Sequence, residues 1–361
     1  LILWSACAAA DYTFEPAIPM AKPQAMALLD IADCDGRLLA VGERGLVMYS
    51  DDAGGSWQQA EVPASQTLTS VACAGDGHVY AAGHAAVALG STDNGASWEL
   101  LFDGNEANSQ WLAYNKQEFA RLEKALESAD PEDARDLEYA LEDVGYAIED
   151  AEAAQEQGPV DPFLDIWFRD KDTGFAVGAY GLIYGTQNGG KDWSLAAASI
   201  DNPDRYHFYA MAMDFAGTLY LSGEAGLLYR STDGGMNWQT LQPGYDGSLF
   251  GLVVASDDSV LAFGLRGNVL RSEDSGATWQ FAQIEADPRQ GLYGGTRTGD
   301  GTLLLVGAGG TVLYSHDNGR HFSPSSVSGG GTLSAVAAQA PRAALLVGMD
   351  GIANYKVPEH E

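Results

Sequence analysis

Six aspartate-centred phrases hold the residues whose types and spacing could do chemistry. Each follows the pattern Ser/Thr-x-Asp-x-Gly-x-x-Trp. The copies are SDDAGGSW ending at Trp57, STDNGASW at Trp98, TQNGGKDW at Trp193, STDGGMNW at Trp238, SEDSGATW at Trp279 and SHDNGRHF at Phe322. Their polar centres are Asp52, Asp93, Asn188, Asp233, Asp274 and Asp317. Repeated carboxylates of this kind could bind calcium or act as acids. Turn chemistry explains every fixed position without either role. The Asp accepts hydrogen bonds from backbone N–H groups across a turn. The Gly takes a backbone angle that other residues resist. The aromatic begins a strand and plugs between sheets. The phrases are therefore read as structural, with no catalytic residue, metal or cofactor assigned.

The elements that carry them follow from the spacing. Successive terminal aromatics lie 41, 95, 45, 41 and 43 residues apart. A period of about 40 is one four-stranded propeller blade, and the outlier is one period plus about 54 inserted residues. A second phrase, a short apolar strand followed by Gly-x-x-Gly, begins at Gly42, Gly178, Gly223, Gly264, Gly307 and Gly348, with Gly83-His84-Ala85-Ala86 as its variant. It occurs seven times and predicts seven blades. In the third unit the strands are expected over 164–168, 174–178, 182–186 and 193–196, short and β-branched or aromatic. The seventh unit has no aspartate phrase. Residues 11–18, around Tyr12 to Ile18, are expected to supply its outer strand and close the ring. The fold class is thus an all-β, seven-bladed β-propeller spanning 11–361.

Residues 104–158 break the composition. Leu122, Ala125, Leu126 and Ala129 lie at helical spacing, as do Leu137, Ala140, Leu141, Val144 and Ile148. Asp130-Pro131-Glu132 marks a helix start. This predicts a helical hairpin between blades two and three, carrying 15 acids and 4 bases. Patterned insertions of this length are usually functional.

In a propeller the loop entering each blade and the Gly-x-x-Gly turn share one face of the ring. That face collects Glu43, Arg44, His84, Tyr180, Glu224 and Arg266 from the turns. The starts of the inner strands add Arg205, Tyr206, His207, Phe208, Tyr209, Phe250 and Tyr293. Aromatics with Arg and His at a funnel mouth suit a binding site. The competing reading packs the aromatics between blades and leaves the charges solvated.

Composition bounds the rest. With 361 residues, 46% of them hydrophobic, the chain can bury a large core. No apolar run reaches membrane-spanning length. The net charge is −31 with only 19 Lys and Arg, which argues against a nucleic-acid partner. The opening LILWSACAAADYT resembles the tail of a secretory signal, with cleavage after Ala10; a lipoprotein signal at Ser5-Ala6-Cys7 is the rival. Residues 1–10 are read as a signal remnant or N-terminal anchor. Cys34 and Cys73 fall near the ends of adjacent inner strands; they could pair, but buried free thiols are the favoured reading.

The aspartate phrases are the Asp-box, or BNR, repeat. The stretch LDIWFRDKDTGFAVGAYGLIYGTQNGGKDW, Leu164 to Trp193, resembles the repeat unit of the photosystem II stability/assembly factor family, here in its non-photosynthetic bacterial branch. The resemblance covers about residues 27 to 356 in repeat form. It implies an exported, non-enzymatic, seven-bladed assembly factor serving a membrane complex, possibly in this branch an RND-type exporter. The acidic hairpin and the scarcity of arginines depart from the photosynthetic pattern. A sialidase-like glycosidase normally has an Arg-Ile-Pro phrase, which is absent; Arg44, Arg205 and Arg266 could in principle converge with Tyr206 or Tyr293 and Glu224. The expectation is therefore a periplasmic or otherwise exported scaffold, monomeric when free, without a cofactor or a transmembrane helix. It docks on a membrane or envelope complex through the hairpin and channel face. A carbohydrate or small-ligand binding propeller is the alternative.

Overall fold

Each Asp box closes a hairpin in the computed structural model, which describes residues 14–285, 290–327, 329–339 and 342–359. Ser50 Oγ donates to Asp52 Oδ1 at 2.8 Å, and Ser56 N–H donates to the same oxygen at 2.7 Å. The 93, 233, 274 and 317 boxes repeat the pattern, and Asn188 substitutes its amide oxygen. Each box thus satisfies its own turn. Trp98, Trp193, Trp238 and Phe322 are buried beneath it.

The described residues form seven sheets, most of four strands ordered consecutively; the strands pair antiparallel except Gln283–Ile284, which adds to His321–Ser326 in parallel. Their inner strands are Leu28–Cys34, Leu68–Gly75, Phe163–Phe168, Phe208–Met213, Leu249–Val254, Leu292–Arg297 and Leu333–Ala338. The second strand of every sheet is almost wholly buried, as its unbroken apolar run requires. An apolar core fills the space between each pair of neighbouring sheets. A further core joins Leu345 and Val347 of the last sheet to Leu28, Leu38 and Met48 of the first. The architecture is all-β and propeller-like.

In the third sheet the strands are Phe163–Phe168, Gly174–Gly178, Ile183–Thr186 and Ser194–Leu195, within two residues of expectation. The five Gly-x-x-Gly turns before the last sheet, and the variant after Gly83, are single 3-10 turns with a left-handed residue at their centre, as at Arg44 (φ 59) and Tyr180 (φ 53).

Two expectations fail. The first is the closing outer strand over 11–18. Residues 11–13 lie outside the described set, and 14–18 form no strand. Ala17 N–H donates to Val62 O, and Gln59 Nε2 donates to Ile18 O, so this segment runs beside the first sheet. The last sheet keeps three strands. The second is the free thiols. Cys34 and Cys73 form a disulfide with Cα atoms 5.4 Å apart. The neighbouring inner strands bring the two Cβ atoms within bridging reach, which spacing alone cannot reveal.

Two helices, α1 (Gly104–Leu126) and α2 (Asp133–Gln157), pack on each other between the second and third sheets. Asp103 caps α1, accepting from Asn105 N–H and Glu106 N–H.

Candidate functional site: the channel mouth

The seven inner strands share one irregularity. Each skips a residue in its pairing with the second strand at the second position: Leu29, Thr69, Leu164, Tyr209, Phe250, Tyr293 and Ser334. A β-bulge leaves one residue unpaired and re-aims its side chain. All seven bulge residues line a single cavity of about 330 Å³, to which every inner strand contributes. This is the central channel.

Three adjacent bulge residues are aromatic, and they extend a row across the mouth. Tyr180 meets His207 with ring centroids 4.8 Å apart, His207 meets Tyr209 at 6.2 Å, Tyr209 meets Phe250 at 5.1 Å, and Phe250 meets Tyr293 at 5.5 Å. Most of these contacts are edge-to-face, a favoured geometry for aromatic pairs. The ends of the row are open, with Tyr180 49% and Tyr293 40% exposed. Tyr180 N–H donates to His207 Nδ1 at 2.9 Å, and His207 N–H donates to Glu224 Oε2 at 3.2 Å. The Nδ1 acceptor role places the proton of the neutral imidazole on Nε2.

Deeper in the channel lie two carboxylates. Asp30 accepts from Ile31 N–H and Val71 N–H, both at 2.8 Å. Asp165 accepts from Ser70 Oγ and Met211 N–H, both at 2.7 Å. Each therefore ties its strand to a neighbour. Burial is the main cause that pushes Asp30 up to about 7 and Asp165 up to about 6, with Asp165 also repelling the charge on Asp30. Sequence reading missed both, although the phrase Leu-Asp-Ile at 29–31 and again at 164–166 was a visible signal.

The helical pair is seated beside this mouth. Gln110 on α1 donates to Trp193 O at 2.9 Å and accepts from Leu195 N–H at 3.0 Å, completing the strand edge like another peptide. Tyr184 OH donates to Ala107 O. The Arg205 guanidinium lies 5.2 Å from the Trp111 ring centroid, a cation–π contact between the loop entering the fourth sheet and α1. Trp111 in turn stacks on Tyr114. Burial raises the nearby Asp161 carboxyl, and Arg205 and His207 oppose that shift.

The other expected residues divide. Phe208 is fully buried in the core between the third and fourth sheets and does not reach the mouth. Tyr206 is held by Asn202 through its backbone. Glu43, like Glu224, accepts a backbone N–H just before the inner strand of its own sheet, here that of Ala27. Arg44, His84 and Arg266 sit on the turns, and no hydrogen bond or ion pair among the described residues joins them to the row. The three arginines of the glycosidase alternative are therefore not gathered by any contact. No group of three or more His, Cys, Asp or Glu side chains among the described residues is arranged to hold a metal ion.

Repeat, sheet arrangement and channel define the class, a propeller-like protein built from BNR repeats. A family model described as Photosynthesis system II assembly factor YCF48 matches residues 152–285. The Photosystem II assembly lipoprotein Ycf48 of Synechococcus sp. (strain CC9902) is 35% identical over 129 residues, 34% of this chain and 37% of that protein. The match thus spans little more than a third of the curated relative. Two solved structures share the fold. YCF48 bound to D1 peptide has a TM-score of 0.62 at 17% identity, covering 97% of this chain and 99% of that one. The GH74 enzyme of Niastella koreensis has a TM-score of 0.63 at 14% identity, covering 95% of this chain and 53% of that one. Residues 152–285 of this chain are thus similar to the photosystem II assembly factor family, and the solved structures show that the fold is shared over almost the whole chain.

Proposed function

We propose that the seven sheets are the blades of one closed propeller, with 104–158 inserted between the second and third, and that the protein is an exported, non-catalytic assembly factor. It docks on a membrane-embedded or envelope protein through the hairpin and the channel mouth. An RND-type exporter is the finer form of this reading. The observation that carries it is the aromatic row from Tyr180 to Tyr293, set next to a helical pair whose root is fixed by Gln110, Tyr184 and Arg205. Exposed aromatics on a rigid frame bind at low entropic cost. The solved relative bound to D1 peptide supports a polypeptide as ligand. The Cys34–Cys73 disulfide fits an oxidising compartment outside the cytoplasm. Cys7, the residue proposed to carry a lipid, lies outside the described residues. No helix among those described is long and apolar enough to cross a membrane.

The test replaces residues 106–157 by a short Gly linker. The propeller should fold, and capture of its membrane partner from solubilised host membranes should be lost. Unchanged capture would remove the hairpin from the reading. Capture of a glycan in place of a protein would favour the carbohydrate alternative.

A further inference from the structure

The rim of the molecule has one unfinished edge. Six of the seven sheets carry an outer strand, from Gln58–Gln59 in the first to His321–Ser326 in the sixth. Among the described residues the last sheet ends at its third strand, Gly351–Lys356. The inner side of that strand is fully used, since it pairs with Ala343–Gly348 without a skip. Val357 N–H donates to Arg342 O and extends the ladder by one pair. Inward and outward backbone groups alternate along an antiparallel strand. The ladder therefore uses Gly351, Ala353, Tyr355 and Val357 and turns the N–H groups of Ile352, Asn354 and Lys356 outward. None of those three has a hydrogen-bond partner among the described residues.

The chain itself shows what such an edge receives. At six sheets it receives a short extended segment paired with the third strand. At the sixth sheet a further segment, Gln283–Ile284, joins from the link that follows the fifth sheet. Gln283 N–H donates to Arg320 O and Glu285 N–H to Phe322 O. An edge of this fold thus accepts an extended stretch from outside its own run of strands. The stretch from Phe14 to Ile18 does not serve the last sheet. It is tied to Val62 and Gln59, and Phe14 and Ala17 pack in the core between the first and second sheets. Tyr355 and Val357 already pack between the sixth and last sheets, so the open edge offers backbone pairing above all.

Charge selects the guest. Lys356 is exposed on this edge and forms no ion pair among the described residues, whereas nearby Arg342 is engaged by Glu359. Opposite charges on facing strands stabilise the pairing. A second copy of this chain would bring another net charge of −31 and is repelled as a whole, which a short segment is not.

We propose that the outer edge of Gly351–Lys356 is a docking strand for an extended segment of a partner polypeptide, with a carboxylate of that segment facing Lys356. Strand addition takes its affinity from main-chain hydrogen bonds and its specificity from side chains at alternate positions. The proposal does not rest on docking through the mouth or the helical pair.

Hydrogen exchange on the full chain tests it. The probe is a capped heptapeptide of alternating Thr and Val with one central Glu, compared with the same peptide carrying Lys in place of Glu. In the free protein the amides of Ile352, Asn354 and Lys356 should exchange fast, while those of Ala353 and Tyr355 are protected. The Glu peptide at saturation should slow the first three by roughly tenfold or more, and the Lys peptide should bind roughly fivefold more weakly. Asn354→Pro removes the central outward N–H and spares the inner ladder, so it should abolish this protection. If that variant fails to fold, Lys356→Glu should reverse the preference between the two peptides. Protection of the three amides in the free protein would mean that another stretch of this chain already covers the edge. Protection that grows with protein concentration would place a second copy there. Either result overturns the proposal, as does a Glu peptide that protects none of the three amides, or one that protects them equally in Asn354→Pro.

Discussion

At the scale of the residue, the protein uses aspartate in two opposite ways. In the boxes, the side chains of Ser56, Asn237 and Thr278 donate to Asp52, Asp233 and Asp274 and hold each down to about 2. Their contribution to stability is present above the ordinary Asp value and is lost as pH falls from about 4 toward about 2. In the channel, burial holds Asp30 at about 7 and Asp165 at about 6. The folded state then keeps protons that the unfolded chain has released. That contribution is complete below about pH 4 and disappears as pH rises through about 6 to 7. Thermal melts of Asp165→Asn should therefore lack part of the decline that the native chain shows between about pH 4 and 6. An identical slope in both would refute the assignment. The boxes were legible in the sequence because turn chemistry is local. Asp30 and Asp165 were not, because only the inner-strand register separates a channel residue from a solvated one. Phe208 went astray for the same reason: one position along the strand moves a ring from the mouth to the core.

At the scale of the element, strand ends and helix seats do the positioning. A Cβ built on Gly178 would lie 2.2 Å from Pro162 O, and the equivalent atom on Gly42 2.2 Å from Ala27 O. Gly178→Ala should cost about 1–3 kcal/mol, read from urea midpoints, because backbone rather than a flexible side chain must move. The Cys34–Cys73 bridge links residues 39 apart. Its removal by paired Ser substitution should cost about 3–4 kcal/mol. A melt unshifted by dithiothreitol would contradict that. Gln110→Ala should speed hydrogen exchange at the start of α1 while leaving the sheets protected, since two hydrogen bonds to the strand edge are lost at that point. The helix bounds were readable from apolar spacing and from the Asp130-Pro131 start. The seat was not, because a Gln reaching a strand edge 85 residues away leaves no periodic trace.

At the scale of the whole molecule, repetition made the sheet count visible and left closure to packing. The last sheet meets the first through side chains such as Leu345, against which the first box turn at Gly54 rests. The expected closing strand from 11–18 is not part of that contact over its described residues. The two faces of the molecule also differ. One carries the aromatic mouth and the seated helical pair, and the other carries the box turns, with Met236 exposed among them. With a net charge of −31, association with a basic partner surface should slow as salt is raised. The central claim is that docking uses the mouth face. Photo-crosslinking in native membranes tests it most directly, with a crosslinking residue placed at Tyr180, at Tyr146 on α2, or at Met236. The account predicts one shared membrane protein crosslinked from Tyr180 and Tyr146 and none from Met236. Crosslinks from Met236 alone would contradict it.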